Sequence, residues 1–144
     1  VGQVSASSSA TIDAAPDRVL EALSDYQDIR PRILSSHYRE YRVLSGGKGD
    51  GTVANWILQA TEKRQRNVEA TVSVQGNTIT ETDKNSSMVT TYTVAPSGSG
   101  STVTTKTEWK GAGGIGGIFE GIFAPLGLKK IQAEVLENLK KELA

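Results

Sequence analysis

Few side chains in this sequence are suited to moving protons. His37 is the only histidine among 144 residues, so any imidazole acid–base step depends on it. His37, Arg39 and Tyr41 alternate along a β-rich stretch and share one strand face, while Tyr38, Glu40 and Arg42 share the other. With the first set inward, a base, a cation and a phenol would meet in one place. Such a trio could polarise a carbonyl and enolise it, which is cyclase chemistry. With that set outward, the three are ordinary exposed strand residues, and a one-residue slip in register exchanges the two faces. Cysteine is absent, which removes disulfides, thiol catalysis and zinc–thiolate sites. The many serines and threonines form no recognisable nucleophile elbow. One histidine and scattered carboxylates show no metal-ligand spacing, so neither a metal nor another cofactor is expected.

Two further motifs have simpler readings. Gly111-x-Gly113-x-x-Gly116 matches the dinucleotide fingerprint formally and lies between a strand and a helix. That fingerprint needs a second parallel strand after the helix, and here the sequence ends with the helix, so the stretch reads as a hinge. The basic turn Lys63-Arg64-Gln65-Arg66 reads as a solvated hairpin end, because nucleic-acid binding needs a wider patch with stacking aromatics. Sixteen basic residues balance sixteen acidic ones, so no global field draws the chain to nucleic acid or to an anionic membrane. No apolar run has the length of a membrane span, so no stable membrane insertion is expected. The lack of cysteine fits a cytoplasmic location.

The elements that position these residues follow from periodicity. Residues 1–144 read as a single domain with one core. Gln3–Ile12 alternates small apolar and hydroxyl residues as a first strand. Pro16 suits the first turn of a helix whose stripe is Val19, Leu20 and Leu23, and Asp28–Leu34 reads as a second short helix or turn around Pro31. Strands follow at Tyr38–Leu44, Thr52–Thr61, the Val68–Val74 alternation, Thr78–Thr82, Met88–Val94 and Thr102–Trp109, separated by Gly, Ser and Asn turns. After the glycines, Leu128, Ile131, Val135, Leu139 and Leu143, with Leu136, recur at helical spacing, and Pro125 marks a break or kink. The fold class is α+β: a curved antiparallel sheet of about seven strands around a long C-terminal helix, with two short helices after the first strand. One helix fills such a sheet poorly, so a cavity between them is expected.

The segment Ile12-Asp13-Ala14-Ala15-Pro16-Asp17-Arg18-Val19-Leu20-Glu21-Ala22-Leu23-Ser24-Asp25 resembles the START-like superfamily, which includes polyketide cyclase/dehydrase and lipid-transport proteins and the birch-pollen-allergen fold. An Ala/Ser-Pro-x-x-Val start to the first short helix and a Leu-x-Asp ending carry the likeness, and the element order extends it over essentially the whole chain. Where many relatives carry a Trp-containing segment after that helix, this chain has Tyr26 and Ile29-Arg30-Pro31-Arg32. The resemblance implies a helix-grip fold enclosing a pocket for a small hydrophobic ligand such as a lipid, isoprenoid or polyketide-like compound. It also implies a monomer or weak dimer that carries or senses this ligand. An aromatase/cyclase-type enzyme and a protein-interaction module with a vestigial cavity are the alternatives.

Rows of strand residues nominate the lining. Trp56 and Leu58 share one face with Ala60; Met88, Thr90 and Tyr92 share one with Val94; Thr105, Thr107 and Trp109 share one with Val103. Apolar walls mixed with hydroxyls suit a ligand with a polar head. Ile118, Phe119, Ile122 and Phe123, beside the glycines, read as cavity wall or an apolar lip at its mouth. The stretch from Gly111 to Leu128 is therefore where fold is expected to turn into function.

Overall fold

Gln3–Ile12, the first strand (β1), shows the alternation in its burial: Ala6 and Ile12 point into the core while Ser5, Ser7, Ser9 and Thr11 face solvent. The computed structural model describes residues 3–61, 64–110 and 125–144. After β1 come α1 (Pro16–Leu23) and α2 (Arg30–Ile33), then β2 (Tyr38–Ser45), β3 (Val53–Thr61), β4 (Arg64–Gln75), β5 (Thr78–Asp83), β6 (Val89–Ser97), β7 (Gly100–Lys110) and α3 (Pro125–Glu142). The seven strands form one curved antiparallel sheet in the order β1-β7-β6-β5-β4-β3-β2. Neighbours in sequence pair through short turns such as Gly98-Ser99, where Gly98 takes φ 56°. β1 instead pairs with β7 along its whole length, from Gln3 opposite Lys110 to Ile12 opposite Ser101. The α+β helix-grip expectation is met.

α3 packs on β1, on α2 and on β3. Its apolar stripe is Leu128, Ile131, Val135, Leu136 and Leu139, as the 3.6-residue period requires, and one polar residue, Gln132, is buried among them. Gln132 Nε2 donates to Ala6 O on β1 at 3.1 Å and to Thr107 Oγ1 on β7 at 3.2 Å. Asn138 Nδ2 donates to Ile33 O at 3.0 Å and so ties the far end of the helix to α2. Pro125 stands at the first position of α3, where a missing N–H removes no helix bond; the residues before it, including the glycine stretch 111–117, lie outside the described residues. Among those described, no helix is long and apolar enough to cross a membrane.

β2, an edge strand, departs from simple alternation. Pairing with β3 shifts register between Arg39 and Arg42, and Glu40 there has φ 53°, the left-handed region. The extra residue changes the parity of the strand, so Tyr38, Tyr41 and Val43 all turn toward the core while Arg39, Glu40 and Arg42 are exposed. Neither set read from strict alternation is preserved. A left-handed non-glycine residue carries about 1–2 kcal/mol of strain, whereas glycine in an ordinary strand costs about 0.5–1 kcal/mol. Glu40→Gly is therefore expected to leave stability unchanged or raised in urea unfolding. Ser7→Gly, at an exposed regular position of β1, should lose about 0.5–1 kcal/mol. A larger loss for Glu40→Gly than for Ser7→Gly would refute the strained bulge.

Candidate functional site

The space between sheet and α3 is arranged around one buried cation. Leu23 at the end of α1, Tyr26 in the connection, and Arg30 and Ile33 in α2 are all buried. The backbone there is held by the glycine-rich loop between β2 and β3: Gly47 O accepts from both Tyr26 N at 2.9 Å and Gln27 N at 3.0 Å. Gly47 has φ 142°, a backbone conformation that favours glycine, and a Cβ there would also push aside the exposed Gln27 side chain. Arg30 is 2% exposed. Its Nε donates to Leu23 O at 2.7 Å, and its Nη1 meets Glu81 Oε2 of β5 at 2.7 Å. Tyr26 Oη donates to the same Glu81 oxygen at 2.5 Å. The guanidinium lies over two aromatic rings, 4.3 Å from the Tyr26 centroid and 4.5 Å from that of Tyr92.

A cavity of about 30 Å³ opens beside this group. Its polar end is formed by Arg30, Glu81, Tyr92, Thr90, Thr105, Thr107 and Gln132; its apolar walls are Leu34, Tyr38, Tyr41, Trp56, Leu58, Met88 and Leu128. Thr90 and Thr107 are directly paired across β6 and β7, and their hydroxyls share a 2.8 Å hydrogen bond. Trp56 stacks on Tyr41, with centroids 6.0 Å apart and planes 21° apart, and meets Tyr38 at 6.1 Å in a tilted contact. The β2 bulge makes this aromatic wall, because it turns both tyrosines to one side. Tyr41 Oη then donates to Tyr26 O at 2.6 Å, linking the wall to the segment that carries Arg30.

The residues singled out from sequence separate into three groups. Trp56, Leu58, Met88, Thr90, Tyr92, Thr105 and Thr107 line the cavity, while Trp109 is buried in the core without lining it. Ile118, Phe119, Ile122 and Phe123 lie outside the described residues. The trio His37, Arg39 and Tyr41 is not brought together, and only Tyr41 lines the cavity. His37 Nδ1 donates to Gln59 O at 2.8 Å, and its Nε2 is 3.6 Å from Glu134 of α3. Arg39 is exposed and donates to Gln59 Oε1 and Gln65 Oε1. Arg30, Glu81 and Gln132 were missed. The available signals were Arg30 one helical turn before the apolar Ile33 in α2, and Glu81 on the same strand parity as the buried Ile79.

A family profile described as polyketide cyclase/dehydrase and lipid transport matches residues 3–144. The chain belongs to this family, within the START-like superfamily. The family has a ligand-binding fold. The KanY protein, solved by NMR in solution, is 62% identical, with 99% of each chain covered and a TM-score of 0.91. Major latex-like protein 151 from Panax ginseng is 13% identical, covering 98% of this chain and 97% of that one, with a TM-score of 0.72. A point mutant of norcoclaurine synthase from Thalictrum, solved with a transition-state analogue, is 15% identical over 99% of this chain and 94% of that one, TM-score 0.72. The last two share the fold. No curated protein sequence matches.

All four tyrosines of this family member surround the site, and burial pushes every phenol pKa upward. At Tyr26, Tyr41 and Tyr92 the positive charge of Arg30 opposes that shift, and the carboxylate of Glu81 adds to it. Burial works most strongly against the Arg30 charge, but Tyr26 and Glu81 beside it more than offset this and the guanidinium stays protonated. Below pH ~10 the tyrosines are neutral in folded and unfolded chains alike. Above it the unfolded chain ionises first, so the stability given by the neutral phenols is lost as pH rises through the folded pKa values. Ultraviolet titration should therefore show no phenolate in the native protein at pH 10, with ionisation accompanying alkaline unfolding. A tyrosine that titrates normally while the circular dichroism stays native would contradict this environment.

Proposed function

We propose that this chain binds a small hydrophobic molecule in the cavity between the sheet and α3, as a carrier or sensor. The observation that carries this reading is the lining, in which an aromatic and aliphatic wall faces a compact polar end built on the buried Arg30. The polar groups able to do chemistry are already committed. Glu81 accepts from Tyr26 and Arg30, Tyr41 donates to a backbone carbonyl, and burial keeps the phenols protonated. Such an arrangement orients a ligand more readily than it transfers protons, which favours binding over cyclase-type turnover.

The cavity volume of about 30 Å³ is far below the roughly 300–1,000 Å³ of a pocket that holds a drug-sized ligand. Loading therefore moves side chains, and Met88, unbranched with three rotatable bonds, is the lining residue best able to yield. A ligand that binds only the folded state should stabilise it by about 2.7 kcal/mol at a hundredfold excess over Kd. Protein purified under native conditions and extracted should release an apolar small molecule by mass spectrometry, and adding that molecule back should raise the melting temperature. An empty extract together with a flat thermal response across a library of neutral lipids, isoprenoids and polyketide-like compounds would overturn the reading.

A further inference from the structure

α3 is tied to its surroundings along two sides, and an imidazole stands on only one of them. Toward β1 the links are neutral: Gln132 Nε2 donates to Ala6 O, and Ser8 Oγ reaches Lys129 O at 3.2 Å and Gln132 Oε1 at 3.3 Å. Toward the α2–β2 stretch the links come from Glu134, Asn138 and Glu142, spaced four residues apart on one face of the helix. Glu142 Oε2 accepts from Arg32 at 3.2 Å, Asn138 donates to Ile33 O, and Glu134 Oε1 stands 3.6 Å from His37 Nε2. This seam borders the cavity. Leu34 and Tyr38, on either side of His37 in sequence, belong to the lining, as do Leu128 and Gln132 of α3.

The bond at one ring nitrogen fixes what the other can do. His37 Nδ1 lies 2.8 Å from Gln59 O, and a carbonyl only accepts, so Nδ1 carries a hydrogen. In the neutral ring Nε2 is then a bare lone pair facing a carboxylate oxygen. Glu134 Oε1 is a buried atom that accepts no hydrogen bond. Two acceptors confront each other until Nε2 gains a proton, which turns the contact into a charge-assisted link. Among the described residues, the other charged groups on the elements packed here are engaged elsewhere or face solvent. Arg32 is paired with Glu142; Arg39 bonds Gln59 Oε1 and Gln65 Oε1 and lies 3.9 Å from Glu40. Lys130, Glu137 and Lys141 of α3 are exposed.

We propose that His37 and Glu134 form a proton-operated latch that closes the seam between α3 and the α2–β2 stretch. Protonation of the imidazole stabilises the closed seam, and that stabilisation is lost as pH rises and the ring becomes neutral. The neutral links to β1 persist, so α3 opens on the His37 side. The latch belongs to the empty protein and does not depend on the hydrophobic-ligand reading; for that reading it means tighter retention at acid pH.

Amide hydrogen exchange on ligand-free protein, corrected for the intrinsic pH dependence of exchange, tests this at about pH 5.5 and about pH 8. α3 is expected to be less protected than β6 and β7, because it opens without global unfolding. Its protection should fall about two- to fivefold from the lower pH to the higher, the size of a partly exposed ion pair. His37→Gln should abolish the fall. Glu134→Gln should abolish it too, because its amide can donate to the bare Nε2 and hold the seam closed at the higher pH. Protection of α3 that is unchanged or rises with pH in the wild-type chain would overturn the latch. So would a fall of equal size in either variant, or α3 as strongly protected as β6 and β7.

Discussion

Two opposite charges share the interior of this protein, and much of the arrangement around the cavity depends on their meeting. Each ion loses several kcal/mol of hydration on burial, and only good geometry with further hydrogen bonds offsets that loss. Both conditions hold here. Arg30 spends Nε on the Leu23 carbonyl and Nη1 on Glu81, while Glu81 also accepts from Tyr26. The interaction joins the α1–α2 segment, near the start of the chain, to β5 in the middle of the sheet, so one contact fixes where the short helices sit against the strands. Removing one partner from such a pair costs about 3–5 kcal/mol, because the other charge is stranded.

The same interaction divides the cavity into a polar end and an apolar wall. Tyr26 and Tyr92 sandwich the guanidinium, and Tyr41 reaches the Tyr26 carbonyl from the edge strand. Gln132, on the same polar lining, bonds to both β1 and β7. A carboxylate, a guanidinium and a side-chain amide are thus used internally to hold elements together. What remains of the lining beside these internally bonded groups is aromatic and aliphatic surface. That balance, more than any reactive group, gives the cavity its chemical character.

Period-two alternation identified the inward rows of β1, β4, β6 and β7, because each strand there has one face on the core and extended pairing with its neighbours. It failed in β2, where one inserted residue reverses the parity. Glu40 carries no glycine or asparagine signature to announce a left-handed residue, so only the pairing with β3 reveals the bulge. Arg30 stands one helical turn before the apolar Ile33 in α2, yet a charged residue there reads as solvent-facing by default. Its burial depends on Glu81, 51 residues away, and pairing over that distance leaves no local mark. Gln132 escaped for a related reason: its partners are Ala6 O and Thr107 Oγ1, on strands far away in sequence. The architecture was legible from short-range pattern, whereas the polar end of the site was not.

Met88 is the only methionine in the chain and lines the cavity wall, so its methyl group provides a single resonance at the place the account turns on. Methyl-labelled protein titrated with a small neutral apolar probe gives the most direct measurement. The account predicts a saturable shift of the Met88 methyl signal, with intermolecular contacts from the probe to that methyl and to the Trp56 ring. It would be contradicted if the probe bound while the Met88 signal stayed fixed and contacts appeared instead at the exposed Leu44 or Leu126.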